Sequence, residues 1–557
     1  MASVDAAFAA PADTVALPAG SPVDVDLPQR RRRSAPIALY VFVAGVATAF
    51  AAPIVYIAWR AVTLDAALGD VLAESVAPAW RTVQLAILVS TIAGVVGTTM
   101  AWLTARTDVP LARLWRVLAP LPLVIPSFVG AAAFLGALGP DGLLRDAFEL
   151  VGYHPPRRFR GLGASVLVLS AFTYPYVYLP VAARLATLPP QLEESCRLLG
   201  DRPLRSFTRV VLPLVRGSIA GGMLIVFLYC LSEFGAVQLL GFDTLTRVVY
   251  ATRLADRAVS FMAALLLVVM ALLAIIVERR MRGSLDNRTV AAARRNRSIR
   301  LGRWKLPSLA IVAGVVALAL VVPVVSLGQW AWRAIANSDD RIATLGDELG
   351  ALGRPGWTTV WLGVSASVLA LGAVVPVAML AMRYRSRLAP AVTTSIAAGF
   401  AVPGLVIALS LAFWALHVPG FSALYQTVPL LLIAYVVHFG AQALRSGETA
   451  VAAVPRALDE SALLLGASPL RRAATVHLPL MLPGLLAGGG LVMLSTLKEL
   501  PATLLLAPIG YTTLTTKLWG AYEDGFYAEA GFGSIALVVA SGVLTWALVL
   551  RRTHHLA

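Results

Sequence analysis

Apolar residues in this chain come as long unbroken runs separated by short polar stretches, not as a period-two alternation or a single amphipathic stripe. The first run extends from Pro36 to Trp59 and follows four arginines, Arg30 to Arg33. A secretory signal would have an apolar core of about 7–15 residues and a small-residue cleavage site. This run is long enough to span a bilayer at about 20 residues per crossing. It predicts a first transmembrane helix whose N-terminus the arginines hold inside. Five more runs follow, at roughly 82–104, 114–138, 162–186, 215–240 and 258–278. A further six lie at roughly 307–330, 358–382, 390–416, 427–445, 481–506 and 530–550. The pattern predicts an all-α polytopic membrane protein of about 12 transmembrane helices. Residues 1–35 are rich in Ala, Pro and Asp without periodicity, which predicts a disordered cytoplasmic N-terminus.

Composition agrees with the pattern. Of 557 residues, 58% are hydrophobic and 14% charged, yet the net charge is +16. A soluble chain could not hide so much apolar surface. Two cysteines, Cys196 and Cys230, exclude a disulfide scaffold. The basic excess sorts by topology: 32 of the 46 Lys and Arg fall in segments predicted to lie inside. Ten of them, from Arg279 to Lys305, face a single acid, Asp286, in the stretch between the sixth and seventh runs. That stretch reads as a cytoplasmic linker, not a nucleic-acid surface. Six crossings on each side of it give two parallel repeats. The domains are then 36–280 and 306–552, joined by a basic linker at 281–305.

The repeat is visible residue by residue. Glu194-Ser195-Cys196, Gly200, Val210 and Leu212-Pro213 recur as Glu460-Ser461-Ala462, Gly466, Val476 and Leu478-Pro479, each 266 positions later. Glu233 and Glu499 share that offset, whereas Thr82 and Thr359, and Pro126 and Pro403, lie 277 apart. Physically, each loop reads as a short helix ended by glycine, then a second short helix stopped by Leu-Pro. Two rigid copies on the inner side suit docking to a partner that moves them.

These residues resemble the EAA loop of bacterial ABC importer permeases: Glu-Ala-Ala, three residues, Gly, nine residues, Ile, any residue, Leu-Pro. Here Glu, Gly, Leu and Pro match in both copies, with small-for-small and Val-for-Ile departures. The resemblance covers about 75–280 and 350–550. It implies a fused two-domain permease of the type I importer fold, in which both loops couple to ATPase subunits. Glu194, Ser195, Cys196, Gly200, Leu212, Pro213, Glu460, Ser461, Ala462, Gly466, Leu478 and Pro479 would form the couplings. The implied partners are two ABC ATPase subunits carrying ATP and Mg, an extracytoplasmic solute-binding protein and the bacterial inner membrane, with both termini cytoplasmic. Ser232 to Ala236, and Lys498-Glu499-Leu500-Pro501-Ala502 onward, are similar to the ferric-iron permease group. Permeases for thiamine and aminoethylphosphonate share the motif in looser form, so those or another small solute stand as alternatives.

Glu233 and Glu499 lie in otherwise apolar runs. An acid at the centre of a membrane helix costs about 2.5–3.5 kcal/mol on insertion scales, which marks it as a functional candidate. With Lys498 and Pro501 they are candidate pathway or gate residues; two facing carboxylates suit a hard cation. The structural alternative is that each acid bonds to a neighbouring helix or to Lys498 and shapes the gate. Pro122, Pro126 and Pro403-Gly404 mark kinks or breaks that could line a cavity. None of the six histidines is spaced as a metal pair, so no metal site and no catalytic residue is expected. No phosphate-binding Gly-x-x-x-x-Gly-Lys loop occurs, so the chain reads as a transport subunit without its own ATPase. A major-facilitator transporter also has twelve helices in two halves, but its loop motif is missing between Thr104 and Arg116.

Overall fold

In hydrocarbon each backbone N–H and C=O must be bonded within its own segment, so the apolar runs become helices. The structure is a computed structural model. It describes residues 35–63, 68–139, 142–150, 158–188, 207–282, 299–384 and 386–545, with isolated positions between. Expectations for 1–34, for Glu194 to Gly200 and for most of the linker lie outside the described residues. Among these, ten helices are long and apolar enough to cross a membrane, and two sharply bent pairs bring the total to twelve.

In the first half the helices are α1 (Ile37–Thr63), α2 (Leu68–Arg106), α3 (Ala112–Leu118), α4 (Ser127–Leu138), α5 (Leu143–Leu150), α6 (Leu162–Thr173), α7 (Pro175–Thr187), α8 (Leu212–Ser232), α9 (Gly235–Leu239), α10 (Leu245–Thr252) and α11 (Arg257–Arg282). The second half holds α12 (Lys305–Val316), α13 (Val322–Ala336), α14 (Arg341–Arg383), α15 (Ala389–Ala401), α16 (Gly404–His417) and α17 (Val428–Ala452). It continues with α18 (Arg456–Leu464), α19 (Pro469–Arg472), α20 (Leu478–Leu497), α21 (Pro501–Leu506), α22 (Leu514–Asp524) and α23 (Tyr527–Thr545). The drop in repeat offset from 277 to 266 means the first half is eleven residues longer between Thr82 and Glu194. α5 lies in that stretch.

Three expectations change. First, α2 and α14 outrun the apolar cores at 82–104 and 358–382. At 43 residues α14 is about 65 Å long, twice the hydrocarbon thickness. Its polar start is capped by Asp340, whose carboxylate accepts from the N–H groups of Ile342 and Ala343, both at 3.1 Å. Second, the runs at 215–240 and 481–506 are not continuous helices; they break at Glu233 and at Lys498–Leu500. Third, Leu-Pro does not stop a helix. Pro213 and Pro479 each sit two residues beyond a π turn, at Phe207–Val211 and Ala473–His477, and the helix runs on. Pro323 follows the π turn Ala317–Val321 in the same way. The wider turn makes room for a ring that clashes with the carbonyl four residues back and supplies no N–H.

The halves exchange their first helices. Phe50 of α1 packs against Gly399 and Gly440 of the second half, and Ser410 Oγ donates to Pro53 O at 2.9 Å. Reciprocally, Ser326 Oγ of α13 donates to Ala133 O of α4 at 2.9 Å. At one end the described tail of the linker joins the α2–α3 turn. Ile299 pairs with Arg106 and Asp108, and Leu301 N donates to Asp108 Oδ1 at 2.8 Å. That N–H, with Lys305 3.4 Å away, holds the Asp108 carboxyl below its usual range.

Close approach within a half relies on glycine. A Cβ on Gly97 would lie 2.7 Å from Tyr174 O and 2.8 Å from Val177 Cβ. Gly97→Ala therefore forces α2 off α7, at a cost of about 1–3 kcal/mol for overpacking. A lowered thermal unfolding temperature in detergent is the expected reading.

Candidate functional site: a cavity where four helix breaks meet

The segment Ala112–Val124, which begins with α3, meets α4 at an elbow bent by 100°, and α15 meets α16 at one bent by 105°. Pro126 and Pro403 sit at these elbows in extended geometry, ψ 143° and 140°. The breaks after α8 and α20 come to the same depth. A cavity of about 200 Å³ lies between the four, lined from both halves. The prolines are thus true breaks, not simple kinks.

Both acids reach this cavity and both cap the short helix that follows. Glu233 Oε1 accepts from Ala236 N at 2.8 Å, and Glu499 Oε1 accepts from Ala502 N at 3.0 Å. Each break carbonyl is held as well: Thr246 Oγ1 donates to Glu233 O at 2.6 Å, and Thr503 and Thr515 donate to Glu499 O at 2.9 and 3.1 Å. The break is therefore built into the sequence by threonines that replace the missing helical donors.

Beyond the acids the two walls differ. Ser127 Oγ donates to Glu233 Oε2 at 2.7 Å, and Glu233 is buried. The equivalent of Ser127, 277 positions on, is Gly404, which has no hydroxyl to offer Glu499. Instead Glu499 Oε1 and His438 Nε2 crowd the empty side of Gly404, at 2.8 and 3.2 Å from where a Cβ would stand. Phe172, Tyr176, Tyr229 and Ser232 on the first wall are replaced, at the 266 offset, by His438, Gln442, Ser495 and Lys498. One wall is aromatic and the other polar, with a matched pair of acids between them.

Lys498 does not pair with Glu499. Its Nζ crosses to the first half and donates to Leu123 O at 2.8 Å, just before the first elbow. Pro501 opens α21 beside it and lines the cavity. His438, Gln442 and Ser495 lay unremarked in the sequence as cavity residues. The repeat offset links each of them to a cavity-lining residue of the first half: Phe172, Tyr176 and Tyr229.

The second loop motif forms a separate surface. α18 ends at Gly466, which takes a left-handed φ of 74°, and Ala467 N closes on Ala462 O at 3.0 Å. Ser468 then caps α19. Asp459 ties the two helices by accepting from Arg472 Nη1 at 3.0 Å while bonding His477 Nε2 at 2.9 Å. Arg383 at the end of α14 anchors the loop's base through Val451 O and Val454 O. Leu464, Leu465 and Leu470 are 84–88% exposed on this surface. Exposed apolar clusters of this kind mark a partner's seat. Asp459→Asn removes the charge that holds α18 to α19. Amide exchange across 461–467 should rise about tenfold, given about 1.5–3 kcal/mol for hydrogen bonds to a charged group. Of the first loop, Leu212 and Pro213 are described and open α8; Glu194, Ser195, Cys196 and Gly200 lie outside the described residues.

Comparison with known proteins fits this geometry. The family described as "Binding-protein-dependent transport system inner membrane component" matches twice, at residues 93–290 and 375–552. The Fe(3+)-transport system permease protein FbpB 2 of Haemophilus influenzae is 28% identical over 83% of this chain and 87% of its own length. The ferric transport system permease protein FbpB of Actinobacillus pleuropneumoniae is 22% identical over 83% of this chain and 70% of its own. The molybdenum transport system permease protein ModB of Mycobacterium tuberculosis is 32% identical over 32% of this chain and 69% of its own. With two matches that together span more than half of its length, each containing one of the two cavity acids, this chain belongs to the family of binding-protein-dependent transport system inner membrane components.

Proposed function

We propose that this chain is the membrane subunit of an ATP-driven importer for ferric iron, with both permease halves in one polypeptide. The observation that carries the substrate is the cavity at the seam of the halves, which Glu233 and Glu499, a repeat-related pair of acids, both line. Carboxylate oxygens suit a hard trivalent cation. The likeness to FbpB 2 over most of both chains supports the same reading.

Two ATPase subunits, carrying ATP and Mg, would seat on the two loops that contain Glu194 and Glu460. Their closure would draw the loops together and rock the halves about the cavity, while an extracytoplasmic binding protein delivers iron from the other side. This places both termini and the basic linker in the cytoplasm, in keeping with the positive-inside rule. The domain limits 36–280 and 306–552 follow from the same reading.

The test is uptake by the purified chain reconstituted with its ATPase and binding protein. ATP-dependent accumulation of radiolabelled ferric iron, with none of thiamine or aminoethylphosphonate, is the expected result. Preferential uptake of either organic solute would overturn the substrate, and uptake driven by an ion gradient without ATPase would overturn the class.

A further inference from the structure

A second cavity lies at the opposite face from the loop around Glu460. Arg383 marks the loop end of α14, whereas Lys517 of α22 donates to Ala351 O, 32 residues and about 48 Å up the same helix. α22 leads directly to the turn before α23, and the cavity sits at that turn. It measures about 530 Å³ and lies between α4 of the first half and α13 and α23 of the second.

Its charged lining consists of two arginines, joined by amide side chains that can turn their NH2 groups inward. Arg160 comes from the first half, and Arg333, Gln329 and Asn337 come from the second. Trp330 and Tyr527 supply an aromatic wall, their ring centroids 5.1 Å apart. Among the described residues no carboxylate lines it.

The fold does not require this opening. The twin seam, where α1 meets α11 and α16, is plugged by Phe261 and Phe413 at 5.1 Å, with Tyr56 against Phe261 at 6.4 Å. The residue equivalent to Phe413, 277 positions earlier, is Gly136; that equivalent to Phe261, 270 positions later, is Gly531. Both glycines press on Trp330: a Cβ on Gly136 would lie 2.2 Å from its ring and one on Gly531 would lie 3.0 Å from its Cβ. Glycines thus stand where the twin seam has phenylalanines, Trp330 packs against both, and an arginine-lined cavity lies beside it.

We propose that this cavity is a binding site for a compact organic anion bearing two or more carboxylates. Two guanidinium forks from different halves each match a carboxylate bidentately. The amides of Gln329 and Asn337 add donors, and the Trp330 wall takes a carbon skeleton. The volume falls within the usual small-molecule range and exceeds the needs of a single inorganic oxyanion. Because its walls belong to both halves, an occupant would bias their relative position. The site does not depend on the ferric reading, and its test involves no iron.

The experiment is calorimetric titration of citrate into the full chain in nanodiscs at low ionic strength. Saturable binding is expected, weakened at least tenfold by Arg160→Ala and by Arg333→Ala and lost in the double variant. Arg160 is exposed, so the thermal unfolding of Arg160→Ala should be unchanged. Asn337→Asp, which leaves the arginines in place, should weaken binding by a similar factor. Absence of saturable binding, or binding that survives the double variant, would overturn the site. Inorganic phosphate binding as tightly as citrate would overturn the polycarboxylate class.

Discussion

Replacing Glu499 by Gln should lower ATP-driven uptake at least tenfold while leaving yield and thermal stability intact. The amide keeps the side chain's volume and an acceptor for Ala502 N, so the cap on α21 survives. What goes is the negative charge on the polar wall of the cavity. Among the described residues the Glu499 carboxylate accepts only that one hydrogen bond, and no serine stands where Ser127 serves Glu233. Its second oxygen is thus the better placed of the two acids to meet a cation. A tenfold loss corresponds to about 1.4 kcal/mol of interaction in the rate-limiting state.

Glu233→Gln should behave differently. Its carboxylate already accepts from Ser127 at 2.7 Å and Ala236 at 2.8 Å in a buried site. Removing the charge weakens two bonds that hold the first elbow to the first break, so the main effect should be on stability, at about 1.5–3 kcal/mol. Unfolding temperature and uptake measured on both variants separate the roles. Glu499→Gln transporting at the wild-type rate in an intact assembly would remove Glu499 from the pathway. Equal behaviour of the two variants would mean that the asymmetry of the walls has no functional weight.

The contrast shows what sequence can and cannot carry. Runs such as 358–382 announce themselves, because a hydrocarbon-spanning helix needs some twenty apolar residues wherever it occurs. The acids were legible for the same reason: a charge in such a run has a cost that must be answered locally. The breaks at Glu233 and Lys498 were not, because the threonines that stabilise them, Thr246 and Thr515, lie 13 and 16 residues away and look like ordinary polar positions. Lys498 was misleading by adjacency, since its neighbour Glu499 is not its partner; Leu123, 375 residues earlier, is. Leu-Pro read as a stop only because a π turn leaves no composition signal. The exchange of α1 and α13 between halves is likewise set by shape, through Gly399 and Gly440, which receive Phe50, and Gly136, which receives Trp330.

The loop around Glu460 carries the other large prediction. The double variant Leu464→Asp, Leu465→Asp should abolish ATP-driven uptake and co-purification of the ATPase, with the fold of the chain unchanged. These side chains are 88% and 87% exposed, so charging them costs the isolated chain little. In the assembled importer they, with Leu470, would be buried against the partner. Burying one leucine is worth about 1.5–3 kcal/mol, so losing two and placing charges at the contact should weaken association a hundredfold or more. Glu460 lies on the same short helix, one turn before Leu464, and Gly466 ends that helix with its left-handed backbone. The exposed leucines are therefore held at a fixed angle to the α20 helix that runs up to Lys498 and Glu499. A partner that pulls on Leu464 and Leu465 moves a continuous helical rod, 29 residues from Pro469 to Leu497, whose far end is the cavity. Retained ATPase binding with normal uptake in the double variant would show that this loop is not where force enters.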